Sequence, residues 1–141
     1  MHVIRPAKKK DIKAVYGLIR QLSSYGFSKE QFEDCYMYNI GKECVLVYEK
    51  DSCIFGCAVF DIHYKLHFSC KSLEIVNLIV DENNRGCGIG KELLKVLEHI
   101  SLNNDCICIE VATDKQRDAA HRFYKKEGFV CSHYKLRKEL A

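Results

Sequence analysis

Leu73–Leu94, LEIVNLIVDENNRGCGIGKELL, is the stretch whose reading decides the fold. Leu73, Ile75, Val76, Leu78, Ile79 and Val80 make an almost unbroken apolar run. Such a run predicts a strand buried on both faces. Asp81-Glu82-Asn83-Asn84 interrupts it with turn-forming residues. Beyond Arg85-Gly86-Cys87-Gly88-Ile89-Gly90, the residues Ile89, Leu93, Val96, Leu97 and Ile100 recur at helical spacing. The stretch therefore reads as strand, glycine loop and helix. Glycines at alternate positions free the backbone to curl and bare its amides, and a helix start adds unpaired N–H groups and the positive end of a dipole. Together these predict an anion cradle suited to phosphate.

Spacing narrows the phosphate ligand. A Walker A loop needs G-x-x-x-x-G-K-[ST], but Gly90-Lys91 is followed by Glu92, and Arg85 stands five residues before Gly90. The dinucleotide fingerprint G-x-G-x-x-G, started at Gly86, needs its third glycine at Lys91. What remains is Arg-x-x-Gly-x-Gly after a buried strand.

Working outward, 141 residues predict a single domain spanning 1–141, long enough to bury a real core. An apolar share of 48% and a charged share of 29% are ordinary for a globular protein. A net charge of +3 is too mild to argue for a nucleic-acid partner, and the Lys8-Lys9-Lys10 run reads as a solvated loop. No apolar stretch approaches a membrane span, and no secretory pattern opens the chain. A cytoplasmic enzyme or binding domain is the expectation. Nine cysteines form no C-x-x-C pair. They read as buried small hydrophobes in a reducing compartment rather than a zinc site or disulfide framework, with Cys87 the one expected at the surface.

Taken in order, His2–Arg5 predicts a first strand ended by Pro6. Asp11 can cap a helix carrying Ile12, Val15, Leu18, Ile19 and Leu22 on one face. Ser23–Gly26 breaks it. Ser28 with Gln31 is a capping-box signature for a second helix, lined by Phe32, Cys35, Tyr36 and Ile40 and stopped by Gly41. Cys44–Glu49 and Ile54–His63 predict a hairpin about Lys50-Asp51-Ser52, with Gly56 at a bulge. His63–Lys71 is a polar-aromatic loop or strand extension. Cys106–Ala112 predicts a short buried strand. Asp118–Glu127 predicts a helix with Gly128 at the position after its cap, and Phe129–Leu136 a last strand.

Ala120-His121-Arg122-Phe123-Tyr124-Lys125-Lys126-Glu127-Gly128-Phe129 matches the pattern A-x-x-F-Y-x-x-x-G-F. With the Arg-x-x-Gly-x-Gly loop, it resembles the GCN5-related N-acetyltransferase (GNAT) superfamily. LEIVNLIVDENNRGCGIG, RDAAHRFYKKEGF, the ending SHYKLRKEL, the helix VYGLIRQL and the segment DIHYKLHF are similar to a small-molecule branch of it, the bacterial aminoalkylphosphonate N-acetyltransferases. The resemblance covers nearly the whole chain. Two positions depart from the pattern. Asn77 stands where the branch strand often reads E-I-x-E-L with a second acid, and Arg117 stands where the superfamily frequently has Asn.

The resemblance implies a mixed α/β fold, a mostly antiparallel central sheet with a splayed parallel pair, flanked by helices. It implies acetyl-CoA as cosubstrate and direct attack by a primary amine. The CoA pyrophosphate would be held by Arg85, Gly86, Cys87, Gly88, Ile89, Gly90 and Lys91, and pantetheine by strand backbone at Leu78, Ile79 and Val80. Arg117 and His121 are further cofactor contacts, and Tyr124 is the acid that protonates the departing thiolate. Glu74, an acid in an apolar strand, is a candidate base, since desolvation raises a carboxyl pKa. The plain alternative is a strand-end Glu that faces solvent or pairs with Lys71. Phe27, Tyr36, His63, Tyr64 and Asn77 are candidates for lining the acceptor pocket. His63 and His67 would share a strand face, but with no third ligand evident no metal centre is predicted. A homodimer is common in this fold, though no residue pattern here indicates one. Two other functions fit the class: a protein or peptide N-acetyltransferase, and a non-catalytic acyl-CoA-binding domain.

Overall fold

The apolar run at Leu73–Val80 is the greater part of strand β4 (Cys70–Val80), which pairs along its length with β3 (Cys53–Lys65). The computed structural model describes residues 1–22, 26–67 and 69–140. Most of the expected break at Ser23–Gly26, and Phe68 of the His63–Lys71 segment, lie outside the described residues. Two compact units are formed, Met1–Glu110 and Val111–Ala141.

The first unit is built on a sheet in the order β1 (His2–Pro6), β2 (Val45–Lys50), β3, β4 and β5 (Cys106–Val111). β1 to β4 pair antiparallel. β4 and β5 form the parallel pair, joined by α3 (Ile89–Asn103). Such a crossover is what parallel neighbours require. Asp51 and Ser52 both have positive φ, +51° and +64°, the backbone of a two-residue hairpin turn.

The β3–β4 hairpin is longer than its apolar pattern. Lys65 pairs with Cys70, so the polar-aromatic segment extends the strands rather than forming a loop. His67 lies in the turn beyond Lys65, off the strand face that His63 occupies. A bulge is found beside Gly56: Tyr48 pairs with Gly56 and Glu49 with Ile54, leaving Phe55 as the extra residue. A second bulge lies in β4, where Asn77 pairs with Val59 and Ile75 with Phe60, leaving Val76 unpaired.

α1 (Ile12–Leu22) and α2 (Lys29–Gly41) cover one face of the sheet. Val15, Leu18 and Tyr36 pack there with Val45, Val47, Cys57, Val59 and Ile79. Burying such a side chain contributes about 1.5–3 kcal/mol. The capping box at α2 forms as its sequence indicates: Gln31 N–H donates to Ser28 Oγ at 3.0 Å, and Ser28 N–H donates to Gln31 Oε1 at 2.8 Å. Asp11 behaves differently from the expected cap. It ends a short 3₁₀ turn (Lys9–Asp11), and its carboxylate turns back to accept from Lys8 N–H and from Arg5.

The opposite face receives α3, whose Ile89, Leu93, Leu94 and Leu97 are buried. A Cβ on Gly56 would lie 2.9 Å from Ile89 Cγ2 and 3.1 Å from Leu93 Cδ1. A glycine there lets the first turn of α3 settle onto β3, which fixes where the loop before it opens.

In the second unit, α4 (Asp118–Lys126) ends in a Schellman motif. Phe129 N–H donates to Tyr124 O at 3.0 Å, Gly128 N–H donates to Lys125 O at 3.1 Å, and Gly128 has φ +96°. The expected last strand at Phe129–Leu136 is not formed; residues 129–140 carry no helix or strand. Alternation makes a segment able to be a strand, but a strand exists only where a neighbouring edge completes its ladder.

The cysteines also depart from expectation. Cys57 is buried, with its thiol pKa pushed up to about 12 by burial, whereas Cys35, Cys53, Cys70, Cys87 and Cys131 are exposed.

Candidate active site

The glycine loop is held from below before it opens. Asp81 N–H donates to Phe55 O at 2.8 Å. The Asp81 carboxylate accepts from Asn83 N–H, Asn84 Nδ2 and, across the fold, Gln21 Nε2 of α1. Gln21 Oε1 in turn accepts from Glu82 N–H at 3.0 Å. The Gln21 and Asn84 bonds hold the Asp81 carboxyl below its usual range. Past this clamp, Gly86 and Gly88 take φ +81° and +84°, a region that a side chain disfavours. Gly88 is the N-cap of α3 and offers no side-chain cap. The first amide of α3 to find a carbonyl is that of Glu92, on Gly88 O at 3.0 Å. The preceding amides, of Gly88 to Lys91, are the unfilled donors of a helix start. Residues 85–88 are exposed. Arg85 Nε donates to Val80 O at 3.3 Å, which ties the guanidinium to the strand end. The arrangement is an open cradle of backbone donors at the positive end of a helix dipole, which fits a phosphate.

At the other end of β4 the chemistry changes from backbone to side chains. Glu74 lies directly across from Asp61, and Ser72 across from His63. Cross-strand partners and alternate residues share a face, so Asp61, His63, Ser72 and Glu74 point to one side. Glu74 Oε1 lies 2.8 Å from His63 Nε2. Lys42 Nζ donates to Asp61 Oδ1 at 2.7 Å, and Lys65 pairs with Glu110 of β5. Glu74 therefore pairs with His63, not with Lys71, whose ammonium lies over the Tyr64 ring at 5.2 Å.

The acceptor-lining candidates divide. Tyr36 and Asn77 line a groove of about 170 Å³ between α1, α2 and the sheet, with Val76, the bulged residue, beside them. The Tyr36 hydroxyl is already spent: it donates to Lys8 O at 2.6 Å, and burial pushes its pKa up to about 12. Phe27 packs edge-on to Tyr16 and beside Phe32, in an aromatic row that continues to Tyr36. Tyr64 is not with the others. It alternates to the opposite face from His63 and is 78% exposed. Asp61 joins Glu74 and His63 although the sequence did not single it out. The signal was Asp-x-His at strand spacing, which becomes informative only once the hairpin register is known.

In the second unit, Tyr124 is buried between the Phe123 and Phe129 rings, at 5.1 and 5.3 Å between centroids. Burial pushes its phenol up to about 12, with Arg117 pulling it the other way. Arg117 caps α4 by position without a side-chain bond. His121 Nε2 lies 2.8 Å from Asp114 O, so the ring is held over the turn before the helix.

Comparison with known proteins fixes the class. Residues 12–129 match the model of the Acetyltransferase (GNAT) family, and the chain belongs to that family. It is an acetyltransferase. It is 29% identical over 139 residues to an aminoalkylphosphonate N-acetyltransferase of Salmonella typhimurium, covering 97% of this chain and 90% of the relative. A transcriptional regulator from Bacillus halodurans C-125 superposes with a TM-score of 0.85 at 22% identity, covering 99% of this chain and 100% of that one. An aminoglycoside N-acetyltransferase solved with CoA gives 0.87 at 16% identity, covering 99% and 95%. At those identities the two structures establish the shared fold. No helix among the described residues is long and apolar enough to cross a membrane.

Proposed function

We propose that this acetyltransferase moves the acetyl group of acetyl-CoA to the primary amine of a small molecule, an aminoalkylphosphonate or a close analogue, by direct attack. The observation that carries the reading is the half-buried Glu74–His63 pair on the face of the sheet that α1 and α2 cover. An amine must shed a proton to attack a thioester, and Glu74 is a carboxylate held in place to receive it, directly or through water. The name of the Salmonella relative supports the acceptor class.

The remaining roles follow from the chemistry of the step. The cradle at Arg85–Lys91 takes the CoA pyrophosphate. Backbone at Leu78–Val80 aligns the pantetheine arm, and a strand N–H, that of Leu78, steadies the developing oxyanion. Arg117 and His121 are assigned to the cofactor, and His63, Asn77 and Phe27 to the acceptor. Tyr124 is assigned as the acid. With its pKa pushed up to about 12, the phenol keeps its proton at any working pH. The hydroxyl is therefore a standing donor toward the sulfur as negative charge develops there while the carbon–sulfur bond breaks. Tyr124→Phe is expected to lower kcat about 10–10³-fold with little change in acetyl-CoA affinity. Full activity in that variant removes the role. Thiol release from acetyl-CoA against a panel of aminoalkylphosphonates, other amines and peptides tests the acceptor. Turnover confined to peptides would overturn the small-molecule reading.

A further inference from the structure

Gln21, in the last turn of α1, commits its whole amide to the segment that precedes the glycine cradle. Nε2 donates to Asp81 Oδ1 and Oε1 accepts from Glu82 N–H, both at 3.0 Å. A carboxamide suits this pair, since it donates to a carboxylate and accepts from the neighbouring amide at once. A glutamate there would face Asp81 with a like charge, and a lysine would bring no acceptor. Asp81 also gathers Asn83 N–H and Asn84 Nδ2, so the 3₁₀ turn Glu82–Asn84 is fastened as one piece, with Arg85 directly after it. Among the described residues, no other hydrogen bond or ion pair joins α1 to residues 81–84. On its other side α1 turns Val15 and Ile19 to the groove that Val76 and Asn77 line, and Phe27 rests edge-on against its Tyr16. One helix thus forms a wall of the acceptor groove and carries the clasp of the cofactor loop. Both Gln21 bonds are exposed. Such bonds compete with water, so the clasp opens and closes without unfolding the helix.

We propose, on the reading that CoA fills the cradle, that Gln21 is a positioning residue that couples the cofactor site to the acceptor groove. A pyrophosphate in the cradle holds Arg85 and the turn before it, which presents Asp81 and Glu82 N–H to Gln21 in one geometry. The clasp then closes on the last turn of α1, the part of a helix that frays first. Ile19, two positions before Gln21, is steadied with it at the groove. With the clasp open, each site orders by itself. A ligand that orders a shared element lowers the ordering cost for the next one, so CoA bound first improves the groove for the amine. Reciprocity requires a filled groove to tighten the cradle by the same factor.

Amide hydrogen exchange of the full chain, read by NMR with and without CoA, tests the coupling. In the wild type CoA should slow exchange at residues 86–91 and, by about fivefold or more, at residues 19–22. In Gln21→Ala the slowing at residues 86–91 should stay and that at residues 19–22 should vanish. Gln21→Glu keeps the acceptor for Glu82 N–H but sets a like charge against Asp81, and it should lose the same difference; it decides should Gln21→Ala fail to fold. A side chain that only stabilised the helix would speed exchange in both states and leave the CoA-dependent difference intact. Slowing at residues 19–22 that persists in the variants therefore overturns the coupling. Slowing confined to residues 86–91 in the wild type overturns it too, while leaving CoA in the cradle. No slowing at residues 86–91 overturns both.

Discussion

Two clusters in the Met1–Glu110 unit have nearly the same composition and opposite characters. In one, Arg5 sits between Asp11 and Glu49; in the other, His63 sits between Glu74 and Asp61. Each is two carboxylates and one nitrogen base; Asp11 comes from the 3₁₀ turn and the other five residues from strands. The first is closed. Arg5 forks onto both oxygens of Asp11 at 2.8 and 2.9 Å and reaches Glu49 at 3.1 Å; Asp11 also takes Lys8 N–H and is 5% exposed. Both oxygens of Asp11 are engaged, and a guanidinium cannot give up its proton. The second is open. Its members keep unused lone pairs and stand about a third exposed. Saturation, not residue type, separates a cluster that holds the fold from one that can act on a ligand.

The sharpest break of that comparison is Glu74→Gln. If the open cluster is functional, kcat falls about 10²–10⁴-fold, while the urea midpoint stays within experimental scatter. A large drop in stability with little loss of kcat would reverse the assignment. In the closed cluster Asp11→Ala should do the opposite. Removing one partner of a buried pair costs about 3–5 kcal/mol, and here the lower end applies because Arg5 retains Glu49. Equilibrium urea unfolding reads the loss, and activity per folded molecule should be kept.

The same contrast appears in the pH dependence. Hydrogen bonding to Arg5 holds the Asp11 carboxyl below its ordinary value. A depressed folded-state pKa contributes stability that is present above the unfolded value, about 3.9, and lost as pH falls through the folded one. The urea midpoint of the wild-type protein should therefore decline below about pH 4. The gap between wild type and Asp11→Asn should narrow over the same window. A gap that stays constant down to pH 2 would mean that the charge on Asp11 adds nothing to stability.

What the sequence made legible divides along β4. Its apolar run, the glycines after it and the helical spacing beyond are patterns of period two and 3.6, and the strand, loop and helix stand where those patterns put them. The Ser28–Gln31 box and Gly128 were equally readable, because caps are local. Asp61 was not readable, since its place across from Glu74 depends on the hairpin turn and on the bulge at Val76. A one-residue error in register would have sent it to the other face. Tyr64 was misplaced for the same reason: a neighbour in sequence to His63 is its opposite in space. Gly56 looked like a bulge residue and lies beside one, but its closest constraint is α3, a contact between segments more than thirty positions apart.

The smallest expected effect concerns the glycine cradle, where backbone rather than side chains makes the site. Gly88 has φ +84°, and a Cβ built on it would meet nothing within 4 Å. Gly88→Ala therefore carries no clash, only the conformational cost of the left-handed region, about 1–2 kcal/mol. Two outcomes are then separable. If the loop keeps its shape, the urea midpoint falls slightly and acetyl-CoA affinity is retained, since every donor is still in place. If the loop relaxes to negative φ, stability is spared and the amides of Gly88 to Lys91 lose their common aim, so affinity for acetyl-CoA falls. The second outcome is expected. An exposed loop with no packing against its Cβ has little to hold it in a disfavoured conformation, whereas the open cluster on β3 and β4 is fixed by sheet register. Calorimetric titration of acetyl-CoA beside a urea melt distinguishes the two. Loss of both stability and affinity would show that the cradle, like the Arg5–Asp11 pair, is bound into the structure more firmly than its exposure indicates.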